Sequence, residues 1–402
     1  GNRAVAVGDS SVASGLPATA LGYQARATGQ SGVALGDGAS SGDFASIAIG
    51  GAASARRNFS IAIGSEASAS KDNTIAIGEA SNASNDNAIA IGGTASATGL
   101  SSVAIGVQAF GGYQNTTAVG PSSVAEGTGA TALGNGSVTT RVNSVAIGNE
   151  ASALRASAFA AGHRTEASGP NSIGLGSQIS NGQNANGSTN VDITNAAGSR
   201  SIALGAGAIT NIGSTDAIAL GTFASIDALG AIAIGGDGDD EEATFCIQLD
   251  TDGVTCLVEG TGPASGAQAT GDYAVALGTD SSATGAGGIA LGDGSTANGE
   301  RAAAIGVGAA TAADDAYAIG TDAAAGGRRS LALGYQASTG FADSIAIGTL
   351  ATATGTGTVA LGTSASATSE GAVALARGAT ASEEGAWRQR QRVAGTRRCR
   401  GV

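Results

Sequence analysis

The sequence predicts an all-β fold, a solenoid of parallel 14-residue coils. Three observations predict it. Glycine returns every 14 residues from Gly8 through Gly176, and again from Gly278 through Gly362, with Gly205, Gly221 and Gly235 between the two runs. The residues before each glycine alternate in size with period two, which is a strand signature. And 68 glycines exclude the long helices that abundant alanine would otherwise favour.

The first element of each coil is the strand that leads into the glycine. Two residues before it stands Ala in every copy but one, where Gly174 takes its place. Directly before it stands Val, Ile or Leu, except at Ala161. Three before it is usually Val or Ile, as in Val33, Ile61, Ile89, Ile218 and Ile345. One face of this strand is small and the other is bulky and aliphatic. The second element follows three residues later and reads Ala-x-Ala-x-Gly, as in Ala25 to Gly29 and Ala95 to Gly99. Its alternate face is polar, for example Ser68 with Ser70 and Thr352 with Thr354. Two five-residue strands and two short turns fill a 14-residue coil. So narrow a coil has room inside only for Ala and Gly.

If the small faces point inward, the aliphatic faces point out and form an apolar stripe along the solenoid. Monomeric proteins rarely expose more than a few hundred Å² of contiguous apolar surface. Parallel copies related by a rotation axis are the simplest cover. The candidate interface residues are Ile47, Ile49, Ile61, Ile63, Ile75, Ile77, Ile89, Ile91, Val103, Ile105, Val145, Ile147, Ile345 and Ile347. In the competing reading the aliphatics fill each coil's own core and the chain is a monomer.

Asn143-Ser144-Val145-Ala146-Ile147-Gly148 resembles the head repeat of YadA-like trimeric autotransporter adhesins, whose motif is N-S-V-A-I-G-x-x-S in a 14-residue coil. The resemblance spans residues 1–176, 196–235 and 267–382. It implies a left-handed parallel β-roll, a homotrimer wound about one axis, and display on the extracellular side of a bacterial outer membrane. It also implies non-catalytic, multivalent attachment to matrix proteins, host cells or abiotic surfaces. In that family the motif has been linked to collagen and other matrix proteins. Carried over residue by residue, it makes Asn143, Ser144, Val145, Ala146, Ile147 and Gly148 the ligand-binding candidates, while the closing Ser is Ala151 here. Asn171 to Gly176 is a looser match. A trimeric phage or tailocin fibre is the alternative, separable by genomic neighbours. An ice-binding solenoid ranks third, because its outward ranks would need regular Thr, and Ser152 and Leu154 break that pattern.

Two interruptions divide the coils. Residues 177–195, rich in Asn, Gly and Ser, read as an irregular insertion before coils resume over 196–235. Residues 236–266 hold two β-rich runs, Thr244 to Leu249 and Val254 to Val258, around the turn signal Asp250-Thr251-Asp252-Gly253. This is an inserted hairpin with an acidic turn, and a candidate epitope. Cys246 and Cys256 lie symmetrically about Thr251, so a disulfide and two buried free thiols are both open readings. Asp237, Asp239, Asp240, Glu241 and Glu242 do not follow a calcium-loop pattern and read as a solvated turn. Coils return over 267–385. The basic tail 386–402 is expected to be poorly ordered. Its Arg390-Gln391 and Val393-Ala394-Gly395-Thr396 look like a degenerate form of the neck that follows YadA-like heads.

Composition bounds the partners. Net charge is −13, and the six basic residues of 386–402 leave 13 basic against 32 acidic residues in the rest. That balance disfavours nucleic acid and anionic membrane. His163 is the only histidine and reads as a solvent-facing turn residue, as do Tyr23 and Tyr335. One His builds neither a zinc site nor several catalytic dyads, and neither a nucleophile-elbow motif nor a phosphate loop is present. No enzyme and no cofactor are therefore expected. A chain without Met, a signal peptide or anchor strands reads as a passenger piece of a longer exported protein, joined to the membrane only through an anchor outside it. About 25 coils at about 4.8 Å each predict a rod on the order of 120 Å.

Overall fold

The structure, a computed structural model, describes residues 3–183, 189–236, 245–249, 256–260, 266–384 and 387–389, with side chains over 3–178, 193–236 and 266–384. It is a parallel β-solenoid of about 24 turns, with no helix among the described residues. It divides into two units, Gly1–Ile212 and Gly213–Val402.

One coil shows the plan. Ile47–Ile49 form the longer strand, the chain turns through 50–53, Ser54–Ala55 form the shorter strand, and a second turn leads to Ile61–Ile63. Longer strands stack only on longer strands, with Ile47 beside Ile61, Ala48 beside Ala62 and Ile49 beside Ile63. Shorter strands stack likewise, with Ser54 beside Ser68 and Ala55 beside Ala69. The strands have three and two residues where five were expected. Two turns of four to five residues take up the difference, because each must reverse the chain across a core only one alanine layer deep on either side.

Those turns carry a symmetry that the glycine period hides. A left-handed residue recurs every seventh position: Ala52 (φ 54°), Phe59 (55°), Glu66 (59°), Asn73 (57°), Ala80 (51°) and Asn87 (57°). Each coil is thus two seven-residue halves of similar backbone. Both halves tie their turns with the same device, a hydroxyl that bonds back three residues. Ser46 donates to the Asp43 carbonyl at 2.7 Å and Thr74 to that of Lys71 at 2.7 Å. In the other half Ser81 donates to the Gly78 carbonyl at 2.9 Å and Ser123 to that of Gly120 at 2.8 Å. These hydroxyls are buried, so each bond removes a desolvation cost of about 1–3 kcal/mol.

The core is built from alanine with buried Ser and Thr, Ile226 is its one larger aliphatic among the described residues, and the other aliphatics lie outside it. Ala48, Ala53, Ala55, Ala62, Ala67 and Ala69 are fully buried, while Ile47, Ile49, Ile61 and Ile63 are half-buried on the outer face. This overturns the reading in which these aliphatics fill each coil's own core. In some coils a larger inward residue is met by a smaller one. Where Ser41 or Thr116 enlarges one inward position, Gly32 or Gly111 faces it, and a Cβ on Gly111 would sit 3.2 Å from the Thr116 hydroxyl. The one glycine in the alanine column, Gly174, faces Thr165, whose methyl would lie 3.2 Å from an added Cβ. Interior packing at crystal-like density explains these paired changes.

The period-setting glycines have a steric cause. Gly64 has φ 131°, and a Cβ there would lie 2.5 Å from the Gly78 carbonyl oxygen one coil on. Ala376 occupies the same place at φ 104° in the last copy.

Both interruptions contain antiparallel pairs. Ile179–Gln183 pairs with Thr189–Asp192, where the sequence suggested only irregular chain. Phe245–Leu249 pairs with Cys256–Gly260. The register sets Cys246 opposite Glu259 and Cys256 opposite Leu249. Their side chains, and Asp237, Asp239, Asp240, Glu241 and Glu242, lie outside the described residues. At the other end Trp387–Gln389 joins the longer-strand ladder, with Trp387 beside Val373. The start of the basic segment therefore continues the ladder, because it falls one period after Val373.

Candidate binding surfaces

Each unit offers three kinds of surface, and each kind follows from the position of a residue in its coil. Outward residues of the longer strands form the aliphatic stripe. Within Gly1–Ile212 it runs through Val33 and Leu35, Ile47 and Ile49, Ile61 and Ile63, Ile75 and Ile77, Ile89 and Ile91, and Val103 and Ile105 in unbroken register. Val145 and Ile147 lie further along it. Ile345 and Ile347 hold the same place in the second unit. Stacked neighbours cover each other's flanks, which leaves these side chains half-buried with their tips free.

Outward residues of the shorter strands form a polar face. In the second unit Ser338, Thr352, Ser366 and Thr380 stack in one uncharged rank. In the first, Phe110, Val124, Val138, Ser152 and Glu166 follow one another, so that face is mixed. A shallow concavity bounded by Arg155, Glu166, Ser168, Asn195, Asn211 and Ile212 lies on it. It contains neither a histidine nor a cysteine, and so has no Ser–His or Cys–His pair.

The turns form the third surface, where charges pair with the residue one coil on. Arg301 grips Asp315 through Nε–Oδ1 at 2.8 Å and Nη2–Oδ2 at 3.1 Å. Arg329 grips Asp343 with both contacts at 2.8 Å. Arg164 pairs with Glu150 on one side and Gln178 on the other. Hydrogen bonds from the guanidinium hold the Asp315 and Asp343 carboxyls below their usual value of 3.8. A depressed carboxylate contributes stability above its unfolded pKa and loses it as pH falls through the folded one. Unfolding temperature should therefore drop as pH falls below 3.8, and the Asp315→Asn/Asp343→Asn variant should drop less over that window. Equal drops in thermal melts would show that the pairs contribute nothing. Phe44 and Phe59 add an exposed edge-to-face pair, 5.4 Å apart at 80°.

The motif residues Asn143 to Gly148 come apart by role. Ser144 is fully buried and donates to the Arg141 carbonyl at 2.6 Å. Ala146 is fully buried in the core. Gly148 takes φ 129°. Asn143 is the left-handed turn residue at φ 54°, a conformation Asn tolerates well. Asn73, Asn87, Asn115 and Asn171 do the same at φ 54–57°. Only Asn143, Val145 and Ile147 reach outward, Ile147 being 40% exposed. The signature thus encodes a turn, a cap, a core position and a close approach. Seven-residue recurrence of Ser and Ala in both halves of each coil was the available signal for this. His163 is exposed on a turn, as are Tyr23 and Tyr335. Among the described residues no group of His, Cys, Asp or Glu is arranged to hold a metal, and no helix is long and apolar enough to cross a membrane.

The family profile described as YadA head domain repeat matches residues 13–39, 44–67, 69–95, 114–137, 125–151, 142–165, 265–281, 283–309, 312–337, 325–351, 342–365 and 353–375, more than half of the chain. The chain belongs to the YadA head family. Among solved structures it is similar to the collagen-binding domain of the Yersinia adhesin YadA, at 22% identity and a TM-score of 0.27, over 44% of this chain and 80% of that one. No curated protein sequence matches. A YadA head belongs to an adhesin-type, surface-exposed class of protein, and its buried motif residues now have a structural account.

Proposed function

We propose that this chain is the head of a homotrimeric cell-surface adhesin, attaching to matrix proteins, host cells or other surfaces by multivalent contact and without catalysis. One observation carries the reading. The coils complete their cores almost wholly with alanine and buried hydroxyls, yet a long aliphatic stripe, unbroken from Val33 to Ile105, remains outside them. A stripe repeated over so many coils exceeds what a soluble monomer normally leaves uncovered. Copies of the same chain carry the matching stripe, and a closed rotation axis covers all of them at once. The polar short-strand faces and the turns then point to solvent in triplicate. Weak contacts repeated along and around such an assembly sum by avidity.

The solved Yersinia domain is described as collagen-binding, which makes fibrous collagen the first surface to try. Light scattering on the full chain should give three times its own mass. Retention on collagen-coated beads should then fall at least tenfold when the assembly is broken into single chains. A folded species of single-chain mass would sink the trimer reading. A trimer that is retained no better on collagen, fibronectin or cells than on blocked beads would sink the adhesive one.

A further inference from the structure

A stripe of repeated aliphatic pairs poses a problem for any copy that packs on it. Between Val33 and Ile105 every coil presents nearly the same two side chains. A partner displaced by one coil, about 4.8 Å, would meet almost the same surface. Correct alignment therefore has to come from places where the pattern breaks.

The structure contains such places. In the coil of Phe159–Ala161 the bulk is shifted sideways. Phe159 replaces Val or Ile in one column, and Ala161 replaces Ile or Leu in the other. The coils on either side are ordinary, with Val145 and Ile147 before and Ile173 and Leu175 after. In the second unit the break runs along one column. Ala303 is a notch, only 8% exposed, and Tyr317 beside it stands out at 45%.

We propose that Phe159 and Ala161 are register keys that admit a second copy of this chain only with equivalent coils side by side. This rests on the trimer reading above. Around a three-fold axis one edge of each stripe meets the opposite edge of its neighbour. With equivalent coils aligned, Phe159 of each chain faces Ala161 of the next, and the large side chain fills the space the small one leaves. A shift by one coil sets Phe159 against Ile147 or Leu175, which overfills the contact, and leaves Ala161 facing a gap. Both errors are costly at a packed interface. Tyr317 and Ala303 share one column, so each meets an Ile or Leu of the opposite column in aligned and shifted pairings alike, and they do not set register.

The test exchanges the two residues. Phe159→Ala/Ala161→Phe keeps a large side chain facing a small one, so full-length protein should keep the trimeric mass. Ala161→Phe alone sets Phe against Phe and should raise the concentration at which trimers dissociate at least tenfold. Both sites point outward, so far-UV circular dichroism should match the wild type in each. A photocrosslinker at Ile89, read by mass spectrometry, reports alignment directly. Wild type should join Ile89 to the equivalent coil. A variant smoothed by Phe159→Val and Ala161→Ile should also give products displaced by one coil, at least tenfold more often. If the exchanged variant dissociates as readily as the single one, or the smoothed trimer crosslinks only between equivalent coils, the keys do not set the register. Single-chain mass for the wild type would instead remove the trimer reading on which they depend.

Discussion

Alanine at Gly78 is expected to destabilise its stretch of the solenoid by about 3–5 kcal/mol, while alanine at Gly93 changes stability by less than about 0.5 kcal/mol. Both glycines lie in the same region, so the contrast isolates the cause. Gly78 has φ 128°, and an added Cβ would lie 2.5 Å from the Gly92 carbonyl oxygen and 2.6 Å from its carbon. The obstacle is backbone, fixed by ladder hydrogen bonds such as Gly92 N to Ile77 O at 2.7 Å and Gly106 N to Ile91 O at 2.7 Å. Relief requires the coils to part, which breaks those bonds. At Gly93 nothing lies within 4 Å of an added Cβ, and φ is not in the left-handed range. Solenoid stability is roughly a sum of nearest-neighbour terms. Damage at Gly78 should therefore appear first as local opening, with hydrogen exchange and proteolysis accelerating near residues 64–106 before the whole melts. Equal thermal melts for the two variants would show that close coil approach is not what fixes the 14-residue glycine period.

That contrast also marks where sequence reasoning stops. Glycine spacing, the inward alanines and the outward aliphatics were legible, because each is a choice of side-chain size at a fixed place in the period. Why the periodic glycines are needed was not, because the cause at Gly78 is a backbone angle and a carbonyl one coil away, neither of which spacing shows. The role of Asn143 and Ser144 was hidden for the same reason. A motif read as a ligand signature consists largely of turn chemistry, and only φ at Asn143 and the Ser144 to Arg141 bond reveal it. The pair Ile179–Gln183 and Thr189–Asp192 escaped notice because Asn and Gly dominate that segment, and its pairing owes little to side-chain alternation. Trp387–Gln389 joined the ladder against a change of composition because parallel pairing needs only backbone at the right spacing.

Aspartate at Ile75 and Ile89 together should convert the proposed trimer to single chains without unfolding them. Both side chains belong to the outer face, so the core behind them, Ala76 and Ala90, is untouched. Aspartate is a poor strand former, but the ladders on both sides hold the backbone in place. Each replaced isoleucine forfeits about 1–1.5 kcal/mol of apolar burial for a side chain already half covered. A trimer loses that six times over, once for each site in each chain. It also acquires six carboxylates, each costing several kcal/mol if left unpaired and desolvated. The sum exceeds what any reversible assembly tolerates, so light scattering should give the single-chain mass at micromolar concentration. Ser68→Asp/Ser96→Asp places two charges on the short-strand face two coils apart, on either side of Asn82. That variant should remain trimeric, which separates the effect of position from that of added charge. Circular dichroism should show both variants folded. If the Ile75/Ile89 variant stays trimeric while the Ser68/Ser96 variant dissociates, the assembled faces are the reverse of those proposed, and the polar ranks, not the aliphatic stripe, hold the chains together.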